Sequence, residues 1–482
     1  MSNHPYPIIK KLGLIFGPLL CMLLYHIPWV IISPEADKVI AVAIWMIVWW
    51  VTEAVSISVT ALIPLTIFPL LGIADMKTVS ASYGSPIIFL FFGGFVMALA
   101  LEKVQLHKRI ALNIVKFTGT SPNKVILGFM IATAFLSMWI SNTATTVVML
   151  PIALSVISLL ANDEDGFTEG DKKFALSIML GVAYAANVGG IATIIGTPPN
   201  TVMVGFMENT YGVEISFLNW MIMGIPFSIL MLAIIYIVLV KVIYPNGLSN
   251  KNDSAEIINK ELEKLGSIQK TEMRVLIIFF ITMMLWVLRV QINKWIPSIS
   301  LSDAGISMLS AMALFTIPFR FGTGEFTLEW KDTKKLPWGI LILFGGGLAL
   351  ATGLASAGVI EYIGEMVSSN VGVSFIIVAS LMIAIVLFMT ELMSNVALVA
   401  IFAPVIAGVA IGLDQEILPI LIPCTMAASC AFMLPMATPP NAIVFASGYI
   451  KVSEMARAGI VLNVISILIL IIFTVHIIPL MF

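Results

Sequence analysis

Two short polar runs interrupt long apolar stretches of the chain: Ser141-Asn142-Thr143 within 122–160, and Ser394-Asn395-Val396 within 372–412. Serine and asparagine can give protons to a carboxylate, and their oxygens can take a hard cation. A chain break at such a run also frees helix ends, whose N–H groups favour an anion and whose carbonyls favour a cation. A second pair of runs carries backbone rather than side-chain chemistry. Gly196-Thr197-Pro198-Pro199-Asn200 and Ala437-Thr438-Pro439-Pro440-Asn441 cannot continue a regular helix, because each proline lacks a donor and clashes with the preceding turn. In a bilayer, broken backbone survives only where protein or a watery cavity receives its polar groups. Taken singly these runs are ordinary, a cap or turn in one case and a proline kink in the other. Their recurrence as pairs, in apolar surroundings, argues for a binding site.

Acids inside apolar sequence are functional candidates by default. Glu391 lies three residues before Ser394, and Glu53 lies near the inner end of the second apolar span. For Glu391 two readings stand open, a proton or cation site and a hydrogen bond to neighbouring backbone; Glu53 reads as structural. No Lys or Arg falls within either hairpin core or either Pro-Pro break. A dianion there would rely on dipoles, amides and hydroxyls, with bound sodium offsetting charge that the protein leaves uncompensated. Cys21, Cys424 and Cys430 fit no zinc spacing or disulfide framework. The four histidines, His4, His26, His107 and His476, are scattered, and the 28 methionines read as packing or lipid-facing residues.

These residues sit in a chain that water could not hold in folded form. Of 482 residues, 60% are hydrophobic and 11% charged, with mean hydropathy +1.05, whereas soluble domains are nearer a quarter charged. A net charge of −2 gives no reason to expect nucleic-acid binding. Apolar runs long enough to span a bilayer predict eleven helices, near 12–32, 38–55, 56–73, 85–103, 174–208, 217–244, 272–291, 301–319, 337–360, 416–448 and 455–479. The first shows no cleavage site and is read as a retained span. The regions 122–160 and 372–412 are too long for one span and break at their Ser-Asn runs, so each is predicted to be a re-entrant hairpin. With a cytoplasmic N-terminus this layout leaves only Lys38, Lys77, Arg289 and Lys294, of 25 Lys and Arg, on the outer side. The rest, including Lys103, Lys108, Arg109, Lys251 and Arg320, fall inside, as the positive-inside rule demands; the C-terminus is then periplasmic. The polar stretch 245–271 mixes charge signs and reads as a solvated helix or linker connecting two halves.

The halves repeat. Phe91-Phe92-Gly93-Gly94 matches Leu343-Phe344-Gly345-Gly346, Ser141-Asn142 matches Ser394-Asn395, and the two Thr-Pro-Pro-Asn runs match, all in one order. The span count sends the matched Gly-rich spans in opposite directions, so the repeats are inverted, an architecture common among secondary transporters. The predicted organisation is an extra span over 1–36, a first repeat over 37–244, a cytoplasmic linker over 245–271 and a second repeat over 272–482. A channel is disfavoured because midplane hairpins in inverted repeats suit alternating access better than an oligomeric pore ring. An enzyme is disfavoured because no metal cluster or nucleophile–base pattern is present.

Together, Leu136-Ser137-Met138-Trp139-Ile140-Ser141-Asn142-Thr143, Asn187-Val188-Gly189-Gly190, Thr390-Glu391-Leu392-Met393-Ser394-Asn395 and the two Thr-Pro-Pro-Asn runs resemble the divalent anion/sodium symporter family, from about residue 40 to the C-terminus. The resemblance implies an all-α polytopic fold with eleven spans and two opposed hairpins, a homodimer in the bacterial inner membrane, and elevator-type alternating access. It also implies sodium symport of C4-dicarboxylates such as succinate, malate or fumarate, with citrate or sulfate symport and sodium-independent exchange as alternatives within the family. Carried over residue by residue, it implies a first sodium site at Ser137, Ser141, Asn142 and backbone near Gly190. The implied second site uses Thr390, Asn395 and backbone near Met393 and Ala437. Substrate would meet Ser141, Asn142, Thr143, Ser394, Asn395, Val396 and Thr438 over a floor shaped by Pro439. Val396 departs from the pattern, since many bacterial relatives carry threonine there and valine has no hydroxyl to donate.

Overall fold

A bilayer offers no water to backbone N–H and C=O groups, so apolar sequence of this kind folds into helices that satisfy themselves internally. The computed structural model describes residues 7–26, 32–119, 121–161, 167–248, 253–318, 324–369 and 374–481. Among them every regular element is helical, apart from an isolated antiparallel bridge between Pro318 and Phe326. The chain is an all-α polytopic membrane protein. His4, Lys251, Arg320, residues 27–31 of the first predicted span and the first two of the second predicted hairpin lie outside the described residues.

The first half opens with α1 (Ile8–His26) packed on α2 (Pro34–Thr52), followed by the short α3 (Ile57–Thr60), α4 (Ile63–Leu70) and α5 (Met76–Tyr83). The Gly-rich α6 (Pro86–Lys103) leads to an amphipathic α7 (Leu106–Thr118). Next come a broken pair, α8 (Pro122–Ser137) and α9 (Asn142–Ala161), then α10 (Glu169–Ile191) and α11 (Pro198–Tyr211) on either side of the first Pro-Pro break. Helix α12 (Phe217–Ile237) ends the half, and α13 (Asp253–Leu265) occupies the connecting stretch. The second half holds α14 (Lys270–Trp295), α15 (Asp303–Thr316), the Gly-rich α16 (Trp338–Ser356) and α17 (Val359–Ser368). A second broken pair follows, α18 (Phe375–Met389) and α19 (Asn395–Gly412), then α20 (Leu418–Ala427) and α21 (Pro439–Phe445) around the second Pro-Pro break, and α22 (Val452–Ile472).

Local sequence sets these boundaries. Ser33, Asp75, Thr168, Ser216, Ser302 and Thr438 each accept a hydrogen bond from a first-turn N–H of the helix they precede, supplying one of the partners a helix start lacks. Eight helical stretches among the described residues are long and apolar enough to cross a membrane, and six shorter apolar helices accompany them. The run predicted as a span over 56–73 is divided into α3 and α4. Four helices escape an apolar-run reading altogether: α5, α7, α13 and α17. In α7 the apolar residues Leu106, Ala111, Leu112 and Val115 are buried at helical spacing between basic residues, so their face, not a run, carries the signal.

The two halves meet at their matched motifs. Phe91 of α6 and Phe344 of α16 stack edge to face, 5.0 Å between ring centroids, and Ser307 of α15 donates to the Leu90 carbonyl at 2.7 Å. Two arginines tie helices together at the polar margins. Buried Arg289 reaches Asp303 at 3.2 Å and Glu214 at 2.5 Å, while Asp303 also accepts from the Phe217 N–H. Arg109 of α7 takes Glu272 in a two-point grip at 2.6 and 3.1 Å and donates to the Leu265 and Gly266 carbonyls at the end of α13. The connecting stretch is thus a docked helix and not a free linker, with Ile258 only 2% exposed.

Candidate functional site

The break between α8 and α9 places Ser137 and Asn142 together. Ser137 Oγ lies 2.6 Å from Asn142 Oδ1 and 2.7 Å from the Ala186 carbonyl oxygen. Asn142 Oδ1 faces only acceptors; turned over, the amide nitrogen would meet Ser137 Oγ at 2.6 Å and the Ala186 and Gly196 carbonyls at 3.3 Å. With that oxygen inward, four oxygens share one hydroxyl proton; with the nitrogen inward, the amide itself donates to the Ser137, Ala186 and Gly196 oxygens. The break between α18 and α19 repeats the arrangement. Thr390 Oγ1 lies 2.7 Å from Asn395 Oδ1 and 2.7 Å from the Ala428 carbonyl oxygen. A hydroxyl has one proton to give, so with its asparagine oxygen turned inward each cluster has more acceptors than donors, the condition under which a hard cation is taken by half-helix ends and unwound carbonyls.

Close approach of α10 makes the first cluster possible. A Cβ on Gly190 would stand 2.6 Å from Asn142 Oδ1, and one on Gly189 would strike the backbone of Ala134. The structure thus brings Ser137, Asn142 and Gly190 together, with Ser141 at the tip. In the second cluster Thr390 and Asn395 meet, but their carbonyl partner is Ala428. The N–H groups of Met393 and Ala437 donate to the Met389 and Leu434 carbonyls.

The two Pro-Pro breaks orphan carbonyls, and named side chains satisfy them. Asn200 Nδ2 donates toward the Gly190, Ile191 and Thr193 carbonyls at 3.3, 3.4 and 2.8 Å. Trp220 Nε1 and Ser228 Oγ take Ile191 and Val188, and Thr193 Oγ1 takes the Met138 carbonyl at the end of α8. In the second half Asn441 Nδ2 donates to the Ala431 and Leu434 carbonyls at 3.0 and 3.1 Å. Asn187 of α10 joins the halves, its Nδ2 reaching Thr438 Oγ1 at 3.1 Å and Asn441 Oδ1 at 3.3 Å. Asparagine suits the end of both Thr-Pro-Pro-Asn runs because its amide bridges several carbonyls of the segment that precedes each proline pair. Sequence reasoning assigned roles to neither asparagine, nor to Asn187, Ala186 or Ala428. The first two were legible in the motif; the others depend on which chain segment passes the break.

Glu391 resolves in favour of backbone. It is 3% exposed; Oε1 accepts from the Phe432 and Met433 N–H groups at 2.8 and 2.9 Å and from Asn463 Nδ2 at 2.8 Å. Oε2 accepts from the Leu434 N–H at 3.0 Å. It is the anchor of the unwound segment between α20 and α21. Glu53 sits at the surface, paired with Lys10 at 3.0 Å, in the structural role expected.

An anion at the centre would meet the starts of α9 and α19. Helices α11 and α21 begin with two prolines and have few N–H groups to offer, whereas α9 and α19 begin at Asn142 and Asn395. Helix α9 packs on α21, and α19 packs on α11, so each broken pair lies against the Pro-Pro helix of the other half. Ser141, Thr143 and Pro439 are exposed, and Ser394, Asn395 and Val396 partly so. Thr438 is buried, and its hydroxyl oxygen is occupied by Asn187 and by the Asn441 N–H.

The two broken pairs differ in how their second helices are packed. A cavity of about 470 Å³ runs along α9 from Ala144, past Val147 and Pro151, to Ser155, and reaches Lys108 and Glu261. The matching face of α19 is packed shut: a Cβ on Gly408 would stand 2.7 Å from the Ile360 carbonyl, and one on Gly412 would strike Gly364. The cavity thus runs from the first turn of α9, just after the first tip, to α13.

The model of the sodium:sulfate symporter transmembrane region matches residues 9–482. The chain belongs to that family, the divalent anion/sodium symporters. It is 38% identical to the sodium-dependent dicarboxylate transporter SdcS of Staphylococcus saprophyticus, over 99% of this chain and 93% of that protein. It is 39% identical to SdcS of Staphylococcus aureus strain USA300 with the same coverage. Among solved structures, the Alcanivorax borkumensis YdaH transporter superposes with TM-score 0.59 at 12% identity, covering 97% of this chain and 98% of that one. Neisseria gonorrhoeae MtrF gives TM-score 0.59 at 12% identity, covering 98% and 96%; at such identity these two show the fold alone. The member described here is a multi-pass membrane transporter and not an enzyme.

Proposed function

We propose that this transporter imports C4-dicarboxylates by sodium symport. The observation that carries the reading is the pair of like oxygen clusters, Ser137–Asn142–Ala186 and Thr390–Asn395–Ala428, each set at a broken helix pair whose next helix start faces the centre. Two sodium ions there would place positive charge beside a site without Lys or Arg. The dianion would then lie between the α9 and α19 N-termini, held by Ser141, Asn142, Thr143, Ser394 and Asn395, with Thr438 and Pro439 behind. Curated relatives with near-complete coverage are sodium-dependent dicarboxylate transporters, which supports both ligands.

The same reading gives two inverted repeats with re-entrant hairpins and a cytoplasmic N-terminus in the bacterial inner membrane. Rigid movement of the broken pairs and Pro-Pro helices, against a scaffold that dimerises, would carry the site across. The packed face of α19 and the open face of α9 would exchange roles in that motion. Labelled succinate uptake into proteoliposomes tests the proposal. Uptake should require an inward sodium gradient and be blocked by excess malate. Uptake driven only by internal dicarboxylate would make the protein an exchanger, and none with succinate but some with citrate or sulfate would move the substrate class.

Two variants follow from the geometry. Gly190→Ala is expected to displace Asn142 and raise the sodium concentration for half-maximal uptake about tenfold; an unchanged sodium curve would remove this cluster from cation binding. Val396→Thr adds a hydroxyl beside the second tip. A hydrogen bond to a charged group is worth about 1.5–3 kcal/mol, so succinate affinity should rise by about tenfold, and an unchanged KM would show that valine there is neutral.

A further inference from the structure

A dianion released from the proposed centre along α9 would pass the cavity beside that helix. Of the residues lining that cavity, Lys108 is the lone lysine or arginine, set with Glu102 and Glu261 at the end away from the tip. His107 beside it turns Nδ1 to the Leu101 carbonyl at 2.9 Å and is buried. Lys108 Nζ instead donates to Glu261 Oε2 at 2.8 Å, and the other oxygen of Glu261 holds Lys264 Nζ at 2.5 Å. Both lysines hold the Glu261 carboxyl below the usual carboxylate range, so it remains ionised at neutral pH. The two partners keep 29% and 18% of their side-chain surface exposed. A pair so placed is weak and exchangeable.

A glutamate carboxylate and a substrate carboxylate are the same acceptor for an ammonium, so one can replace the other with no hydrogen bond lost. Resting on the proposed dicarboxylate transport, we propose that Lys108 forms a second dicarboxylate subsite in this cavity and that Glu261, on the connecting helix, masks it. The mask is held independently of the pair it makes, because Arg109 grips Glu272 and the carbonyls at the end of α13 and because Ile258 is buried. The helix between the halves thereby sets how strongly the α13-side face retains substrate. Neutralising Lys108 favours release toward that side.

Right-side-out and inside-out membrane vesicles, with sodium on the uptake side, read the two faces separately through the KM for succinate. Glu261→Gln should lower KM about threefold from the α13-side face and leave the opposite face as in wild type. Lys108→Met and the double variant Lys108→Met/Glu261→Gln should lack that fall. A fall that survives in the double variant, equal shifts from both faces, or no shift with Glu261→Gln would each overturn the subsite. Wild-type vesicles that take up no dicarboxylate would overturn the transport reading itself, whereas active wild type with inactive single variants would overturn only the subsite.

Discussion

Asn142→Ala and Asn395→Ala are each expected to reduce sodium-driven succinate uptake about a hundredfold while leaving the protein folded. Each asparagine is the first residue of its helix, and its oxygen lies against a hydroxyl that also reaches a carbonyl of a neighbouring segment, Ser137 with Ala186 in one case and Thr390 with Ala428 in the other. Alanine removes the oxygen and leaves the hydroxyl with its carbonyl partner, so the local fold has little reason to collapse. What it loses is a cation ligand together with an amide beside the anion, each a charge-assisted contact worth about 1.5–3 kcal/mol. Uptake kinetics together with a melting curve in detergent check this. Near-normal uptake by either variant would move the binding site elsewhere. The pair also tests the likeness of the two clusters: if only one variant lost sodium dependence, the clusters would not be functionally equivalent.

Glu391→Gln should be the most damaging conservative change in the second half. The carboxylate takes four N–H groups, three of them from consecutive residues, Phe432 to Leu434, where no helix exists to satisfy them. Glutamine keeps one oxygen and turns an NH₂ toward a donor. An orphaned buried donor costs about 1–3 kcal/mol, and the segment released shares its carbonyls with Asn441 and borders Ala428 of the second cluster. The expected result is a lower melting temperature together with about a tenfold loss of uptake. A proton or cation site would behave differently, keeping wild-type stability and changing only the pH or sodium dependence. That outcome would restore the role the structure sets aside.

Both predictions depend on how far the sequence could be read. Apolar length and charge determined that this is an all-helical membrane protein, since a bilayer leaves such sequence no alternative. Proline pairs and Ser-Asn tips located the four breaks, because loss of a donor is a local property of the residue itself. Amphipathic helices α7 and α17 escaped, as their apolar residues are spaced around a face and form no run. The docking of α13 escaped as well, because Arg109, Glu272 and Ile258 become partners only when distant segments meet. The resemblance named Ser137 with Asn142 and Thr390 with Asn395, and in the structure the members of each pair, five residues apart, meet across a helix end and the next start. The sequence could not supply Ala186 or Ala428, whose contribution is a carbonyl common to every residue and distinguished only by position. Nor could it choose between two roles for Glu391, since that choice depended on which N–H groups the unwound segment would bring within reach. Side-chain chemistry is written in the residues; which backbone atoms complete it was decided only by tertiary packing.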